Sequence, residues 1–327
     1  MELDEFLAEW RSASPTVSVR TSGSTGEPKP MMVEKSRMKA SANMTCDFLG
    51  LREGDSALLC MPLDYIAGKM VVARAEVRGL RLVAVHPSSH PFATLDSPTD
   101  FAALTPMQVF ETLKVERERR LLMGVRQLII GGGSISSEMA AELKPFPNAV
   151  WSTYGMTETL SHIALRRLSG DKASEWYTPF NGVSLAADSR GCLVIEAPAV
   201  CAESLTTNDI VEFDADGLRF KIIGRADNVI CSGGIKVQAE EVERLLEPYI
   251  KKPYVVTWEP DDKLGQAVTL VIEAADGSID TESLSAICHS VLPKHWAPRK
   301  IMTTTEIPRT ATGKLKRNFQ TSGRDKK

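Results

Sequence analysis

Over the first 150 residues, short apolar runs bounded by glycine, proline or polar residues alternate with amphipathic stretches of helical length, and this constrains the fold most. Ser56–Met61, Arg81–His86, Gln127–Ile130 and Ala149–Ser152 read as buried strands. Ser36–Leu49, Met107–Leu122 and Ser136–Leu143 read as the helices between them. Strand and helix in alternation predict an α/β domain with a mostly parallel sheet. From about Gly182 the texture changes to short strands separated by Asp, Asn and Gly turns, namely Val183–Leu185, Cys192–Glu196, Ile210–Phe213 and Leu218–Ile223. A small β-rich section is expected there. After Gly224 a compact α+β unit follows: a helix over Gln238–Leu246, strands Tyr254–Trp258 and Ala267–Ile272, a helix over Thr281–Leu292, and an extended Arg299–Ile307. The chain's 327 residues exceed what one hydrophobic core usually supports. Two domains are therefore expected, a large one over 1–224 and a small mobile one over 225–327.

Charge and composition remove several classes of function. A net charge of -3 gives no general attraction for nucleic acid or an anionic membrane. The acidic start MELDEFLAEW lacks the basic and apolar regions of a signal peptide, and no stretch reaches the roughly 18 apolar residues that span a bilayer. The most apolar candidate, Ala57–Ala75, is interrupted by Pro62, Asp64, Gly68, Lys69 and Arg74. The six cysteines are scattered, without a C-x-x-C pair or histidines at metal-ligand spacing. The expectation is a cytoplasmic protein with free thiols, no structural zinc, no membrane span and no nucleic-acid partner. The chain closes on a basic tail with Lys314, Lys316, Arg317, Arg324, Lys326 and Lys327, which alone would read as a solvated end.

The segment Thr21-Ser-Gly-Ser-Thr-Gly-Glu-Pro-Lys29 combines small hydroxyls, glycines and one cation. Such a loop can wrap backbone N–H groups and hydroxyls around phosphate oxygens while Lys29 supplies charge. A plain Ser/Gly linker is the other reading. It is not a Walker A loop, because counting from Gly23 puts Pro28 where glycine is required. No G-x-G-x-x-G and no G-x-S-x-G occurs, which argues against a dinucleotide fold and a hydrolase elbow.

Thr21–Lys29 resembles the phosphate loop of the adenylate-forming superfamily, which includes acyl-CoA synthetases, adenylation domains and luciferases. Four further segments resemble that superfamily in the same order: Tyr154-Gly-Met-Thr-Glu-Thr159, Asp209 within Thr-Thr-Asn-Asp-Ile, Gly224-Arg-Ala-Asp-Asn-Val-Ile-Cys-Ser-Gly-Gly234, and Pro308-Arg-Thr-Ala-Thr-Gly-Lys314. The resemblance covers nearly the whole chain. It implies ATP, Mg²⁺ and CoA, with Thr21, Ser22, Gly23, Ser24, Thr25, Gly26, Lys29, Gly131, Gly132, Gly133, Tyr154, Gly155, Thr157, Asp209 and Arg225 around the nucleotide. Glu158 is a hard oxygen ligand suited to Mg²⁺ beside a triphosphate, though by itself a surface carboxylate. Gly131–Gly133 would allow close backbone approach to a nucleotide, or simply turn the chain from strand to helix. Asp209 can accept ribose hydroxyls, and Arg225 can donate to the same sugar.

The resemblance further implies two half-reactions. Acid and MgATP give acyl-AMP and pyrophosphate with Lys314 neutralising the approaching anions. The small domain then turns about Asp227, and the segment around Gly233 and Gly234 faces a tunnel for the CoA arm. The hinge variant Asp227-Asn-Val-Ile-Cys-Ser-Gly-Gly-Ile-Lys-Val-Gln-Ala-Glu-Glu-Val-Glu243 is similar to that of o-succinylbenzoate–CoA ligases. Pro62-Leu-Asp-Tyr-Ile-Ala-Gly68 and Leu104-Thr-Pro-Met-Gln108 resemble further segments of that group, with Asp64 and Tyr65 where those ligases carry Phe and His. A dicarboxylic acid needs cations or donors for the carboxylate that does not react. Tyr65, Lys69, Arg74 and His162 are the candidates, Lys69 and Arg74 being otherwise solvated helix residues and His162 a core histidine. Only 20 residues precede the phosphate loop, where the family carries a further subdomain, so a shortened N-terminus or a homodimer covering the sheet edge is expected. The alternatives are a ligase for another aryl or fatty acid, a carrier-protein adenylation domain, and an adenylate-binding module without catalysis.

Overall fold

The structure is a computed structural model that describes residues 1–20, 30–274, 279–309 and 315–317. The chain divides into two compact units, the first comprising 1–186, 194–205 and 213–221, the second 187–193, 206–212 and 222–327.

The first unit opens with helix α1 (Leu3–Arg11), whose Phe6 and Trp10 are buried. A capping box closes its start: the Glu2 side chain accepts from the third helical amide, and the Glu5 carboxylate accepts from the Glu2 amide. Strands β1 (Thr16–Arg20) and β2 (Pro30–Glu34) pair antiparallel, Val17 opposite Val33. The main sheet follows, with β3 (Ser56–Leu59), β4 (Arg81–Ala84), β5 (Phe101–Leu104), β6 (Gln127–Ile130), β7 (Ala149–Gly155), β8 (His162–Arg167) and β9 (Thr178–Pro179) in the order β4-β3-β5-β6-β7-β8-β9. The pairings from β4 through β7 are parallel, and β8 and β9 continue antiparallel. All four residues of β3 and of β5 are buried, as expected of parallel strands covered on both faces.

Alternation along the strands sorts the core. Leu58, Ala102, Leu104, Leu128, Ile130 and Val150 join one cluster with Val109, Leu122, Met139 and Leu143 from α4 (Pro106–Lys114), α5 (Glu116–Gly124) and α6 (Ser137–Leu143). Helices α2 (Lys35–Leu49) and α3 (Ile66–Arg78) pack on each other, and α3 packs on β3. Residues Gly68–Ala75 of α3 are all buried, including Lys69 and Arg74 at 2% exposure, so the solvated-helix alternative for these two cations is overturned. The single helix expected over Met107–Leu122 is two helices. Val115 is extended (φ -106°, ψ 110°) and serves as the C-cap of α4 and the N-cap of α5. That break lets Arg117 donate to the carbonyls of Ala93 and Leu95, and Glu118 meet His90.

The β-rich section adds β10 (Ser184–Ala187), β11 (Cys192–Glu196), β12 (Leu205–Phe213) and β13 (Phe220–Arg225) in that order across one sheet.

The second unit holds β14 (Val229–Ser232), β15 (Ile235–Gln238), α7 (Ala239–Leu246), β16 (Tyr254–Asp261), β17 (Gly265–Glu273), α8 (Thr281–Val291) and β18 (Lys300–Thr304). β14 and β15 form a hairpin, β16 lies antiparallel to β17, and β18 pairs parallel with β17. Val242 and Leu246 of α7 and Leu284 and Cys288 of α8 bury against Val256, Val268, Leu270 and Ile272. On the other face Val255, Val271 and Ile307 form a smaller core joined by Leu315. All six cysteines are free, and no helix among the described residues is long and apolar enough to cross a membrane.

Candidate active site

In the first unit the candidate residues gather at one edge of the sheet. β4 lies on one side of β3 and β5 on the other, so the strand order reverses there, and a crevice opens outside the carboxyl ends of strands at such a point. The segment Pro62–Gly68 leaves the end of β3, Thr105–Gln108 the end of β5, Gly131–Gly133 the end of β6, and Thr157–Thr159 the end of β7. Gln108 ties this edge together. Its Nε2 donates to the carbonyls of Cys60 (3.3 Å) and Ser88 (2.9 Å), and its Oε1 accepts from the Thr105 amide in a capping box.

After β7 the backbone turns sharply. A Cβ at Gly155 would collide with the Ser161 carbonyl and the His162 backbone, so only glycine permits this approach of β7 to β8. Leu160, at φ 63°, is the one non-glycine residue with positive φ among the described residues. Strain of that kind costs on the order of 1–3 kcal/mol and concentrates at functional sites. Nothing in the residue type announced it. The turn holds Glu158 exposed, without an ion pair among the described residues, and leaves Gly155 open to solvent. The Tyr154 ring is only 7% exposed and meets Tyr177 and Phe220 edge-on, with centroids at 5.9 and 5.2 Å. Tyr65 caps the start of α3 and is 43% exposed.

Beneath this edge lies a buried polar chain. The Arg74 guanidinium donates through Nη2 to Ser161 Oγ at 2.9 Å and lies 6.0 Å from the centroid of the Phe101 ring. Ser161 Oγ is 3.2 Å from His162 Nδ1, and His162 Nε2 is 3.1 Å from Thr45 Oγ1, whose hydroxyl donates to the Ser41 carbonyl at 3.1 Å. Since Thr45 spends its proton on Ser41, His162 must donate from Nε2 and accept from Ser161 at Nδ1. The ring is therefore neutral. Burial, and then the charge of Arg74, push its pKa well below the ordinary value. Burial also pushes Arg74 down to about 10. Its Nε is buried and makes no hydrogen bond, and the guanidinium meets no carboxylate among the described residues. Lys69 is occupied otherwise: its ammonium donates to the Ser18 carbonyl and lies 5.1 Å from the Phe6 ring centroid.

The second unit carries a separate group. Arg225 joins two carboxylates, donating from Nη1 to Asp209 (3.1 Å) and from Nη2 to Asp227 (2.8 Å), and these partners raise its pKa. Gly233 and Gly234, at φ 58° and 83°, form the two-residue turn of the β14–β15 hairpin. Positive φ at both positions is what a type I′ turn demands, so the hairpin itself explains both glycines. Beside Gly233 lies a cleft of about 260 Å³ lined by Ser232, Leu264, His289, Lys294, His295 and Arg299 among others. The cationic lining was not apparent in the sequence, because these residues come from α8 and the loop after it.

Thr21, Ser22, Gly23, Ser24, Thr25, Gly26, Lys29 and Lys314 lie outside the described residues.

The sequence profile of AMP-binding enzymes matches residues 8–189. A 2-succinylbenzoate–CoA ligase of Listeria monocytogenes is 26% identical over 96% of this chain and 71% of its own length. An acyl-CoA synthetase (AMP-forming)/AMP-acid ligase II-like protein of Dyadobacter fermentans is 35% identical, with a TM-score of 0.68 over 95% of this chain and 90% of that one. The o-succinylbenzoate–CoA synthetase of Bacillus subtilis, solved with ATP and magnesium, shares the fold at 22% identity, with a TM-score of 0.73 over 92% of this chain and 68% of that one. With more than half of its length matched by the profile, this chain belongs to the AMP-binding enzyme family.

Proposed function

We propose that the protein is an ATP-dependent, AMP-forming acid–CoA ligase acting on o-succinylbenzoate or a closely similar keto-dicarboxylic acid. The observation that carries the acid class is Arg74. A buried guanidinium with an unmade Nε hydrogen bond and no carboxylate among the described residues is costly unless a ligand supplies the anion. The carboxylate that does not react would supply it, with Ser161 and neutral His162 as neighbouring polar contacts. Tyr65 and Lys69 remain assigned to the acid side, although Lys69 already holds the Ser18 carbonyl. The names of the ligases from Listeria and Bacillus agree with this substrate class.

The first step forms a bond between the acid's carboxylate oxygen and the α-phosphorus of ATP while the bond to pyrophosphate breaks. Thr21–Gly26 and Lys29 hold the phosphates, Gly131–Gly133, Tyr154, Gly155 and Thr157 surround the base and sugar, and Asp209 and Arg225 take the ribose. Lys314 neutralises the two anions as they approach. Glu158 fits a Mg²⁺ that arrives with the triphosphate, because one exposed carboxylate is what such an ion asks of a protein. The ion's contribution is charge neutralisation of the phosphates. In the second step the CoA sulfur attacks the acyl carbon and AMP leaves, its phosphate taking the bonding pair. The lid domain, residues 225–327, turns about Asp227 between the steps. The cleft of Lys294, His295 and Arg299 beside Gly233 suits the phosphates of CoA.

Incubating the protein with ATP, Mg²⁺, CoA and a panel of acids tests this. AMP, pyrophosphate and thioester should appear together with o-succinylbenzoate. No turnover of that acid beside rapid use of a benzoate or a fatty acid would sink the substrate assignment.

A further inference from the structure

Tyr154 lies in a segment that the sequence marks, but the side chains that hold its ring lie in segments that it does not. Along β7, Ser152 and Tyr154 are alternate residues and share one face of the sheet. Across the antiparallel pairing with β8, Arg166 stands opposite Ser152 and Ala164 opposite Tyr154. Alanine is too small to hold an aromatic ring. The brace comes instead from Tyr177, just before β9, and Phe220, at the start of β13.

These two residues are clasped to each other. The Tyr177 amide donates to the Phe220 carbonyl at 2.7 Å, and the Phe220 amide donates to the Tyr177 carbonyl at 3.1 Å. Their rings stack, with centroids 5.4 Å apart and planes 25° from parallel. Tyr177 is fixed twice more. Its hydroxyl shares a hydrogen bond of 2.9 Å with Ser152 Oγ, and the Arg166 guanidinium lies over its ring at 5.4 Å from the centroid. Both rings are buried, Phe220 completely. The stacked pair meets the Tyr154 ring edge-on, at interplanar angles of 60° and 78°. Edge-to-face contacts are directional, because the positive rim of one ring seeks the negative face of another. Two such contacts from a pair that is itself immobilised set the angle of the Tyr154 ring as well as its place.

We propose that Tyr177 and Phe220 are positioning residues for adenine, holding the Tyr154 ring at the angle at which its flat face receives the base. This rests on the reading that Tyr154 lies beside the base. An aliphatic side chain at either position would fill much of the same volume without a preferred angle. The Tyr154 ring would then have to be ordered when the nucleotide binds, and that cost falls on the base alone. Binding of the phosphates would be untouched.

The test is Phe220→Leu, with binding of ATP and of tripolyphosphate, each with Mg²⁺, measured by titration calorimetry. ATP should bind about three- to tenfold more weakly than to the wild type, and tripolyphosphate, which has no base, within about twofold. Tyr177→Leu should show the same split and stands in if Phe220→Leu does not fold. Tyr177→Phe keeps the ring and should bind ATP within about twofold of the wild type. ATP affinity unchanged in both leucine variants, equal weakening of ATP and tripolyphosphate, or a Tyr177→Phe variant as impaired as Tyr177→Leu would each overturn the proposal. A wild type that binds ATP but releases no pyrophosphate with any acid fails the ligase reading, and the same affinities still decide the role of the two rings. A wild type that turns over, with leucine variants that bind ATP normally, keeps the ligase reading and overturns this one.

Discussion

Arg74 in the first unit and Arg225 in the second are both guanidiniums that the sequence marks as ligand contacts, yet they live under different electrostatics. Arg74 is 2% exposed, donates to the Ser161 hydroxyl and keeps an unmade hydrogen bond at Nε. Arg225 has a side chain 49% exposed and is shared between Asp209 and Asp227. At a buried site the field is unscreened and the geometry is fixed before any ligand arrives. At an exposed one, water and salt weaken every pair, and contacts can be exchanged at low cost. The acid pocket proposed around Arg74 calls for the first arrangement, and the rotation proposed for the segment that carries Arg225 calls for the second.

The strongest way to break this contrast is Arg74→Met. Activity with o-succinylbenzoate should fall about 10²- to 10³-fold in kcat/KM, because the ligand's second carboxylate is left buried and unpaired. Thermal stability should hold or rise, since replacing an uncompensated buried charge by an apolar side chain of similar volume is often neutral or favourable. A melting temperature that drops in step with activity would make Arg74 a structural residue.

His162 sharpens the contrast on the pH axis. Its folded pKa is depressed below the unfolded value of about 6.5, so below that pH the unfolded chain binds a proton that the folded chain refuses. The unfolded state then binds more protons, and stability falls as pH drops from about 6.5 toward the depressed folded pKa. His162→Gln can keep hydrogen bonds to Ser161 and Thr45 but cannot titrate. Denaturant melts at pH 7.5 and 5.5 should converge for the variant and separate by about 1 kcal/mol for the wild type, one pKa unit being worth about 1.4 kcal/mol. Parallel behaviour of the two proteins would place the titration elsewhere.

The smallest effect belongs to Arg225. Arg225→Met should change stability by no more than about 1 kcal/mol, shrinking further in 0.5 M salt, as exposed ion pairs do. Its kinetic effect should appear instead as a raised KM for ATP, through the ribose. A stability loss like that of a buried pair, about 3–5 kcal/mol and insensitive to salt, would erase the distinction between the two sites.

Much of this was legible in the chain because strands leave a local signature. Gln127–Ile130 and Cys192–Glu196 occur with the bounds the pattern gave, and Ser56–Met61 overruns its strand by two residues. The compact strand Phe101–Leu104 went unread, although its four apolar residues before Thr-Pro carry the same signal. Other features are tertiary. Lys69 and Arg74 look like solvent-facing charges on a helix until α2, β1 and the sheet enclose them, and no local pattern reports such enclosure. The break at Val115 depends on where Arg117 finds its carbonyl acceptors. The resemblance assigns Gly233 and Gly234 to a tunnel for the CoA arm, whereas the hairpin turn they form already demands the positive φ of both.

The strand order also sets a timetable for assembly. β14 and β15 meet across two residues, and a hairpin of that kind closes in about 1–10 μs. Phe101 must find Ala57 on one side and Gln127 on the other, with β4 already displaced to the outer flank, so the parallel sheet forms through distant encounters and matures slowly. A folding chain would thus hold a finished hairpin in its later unit while Arg74 is still hydrated, and the enclosed cation becomes one of the last things folding produces.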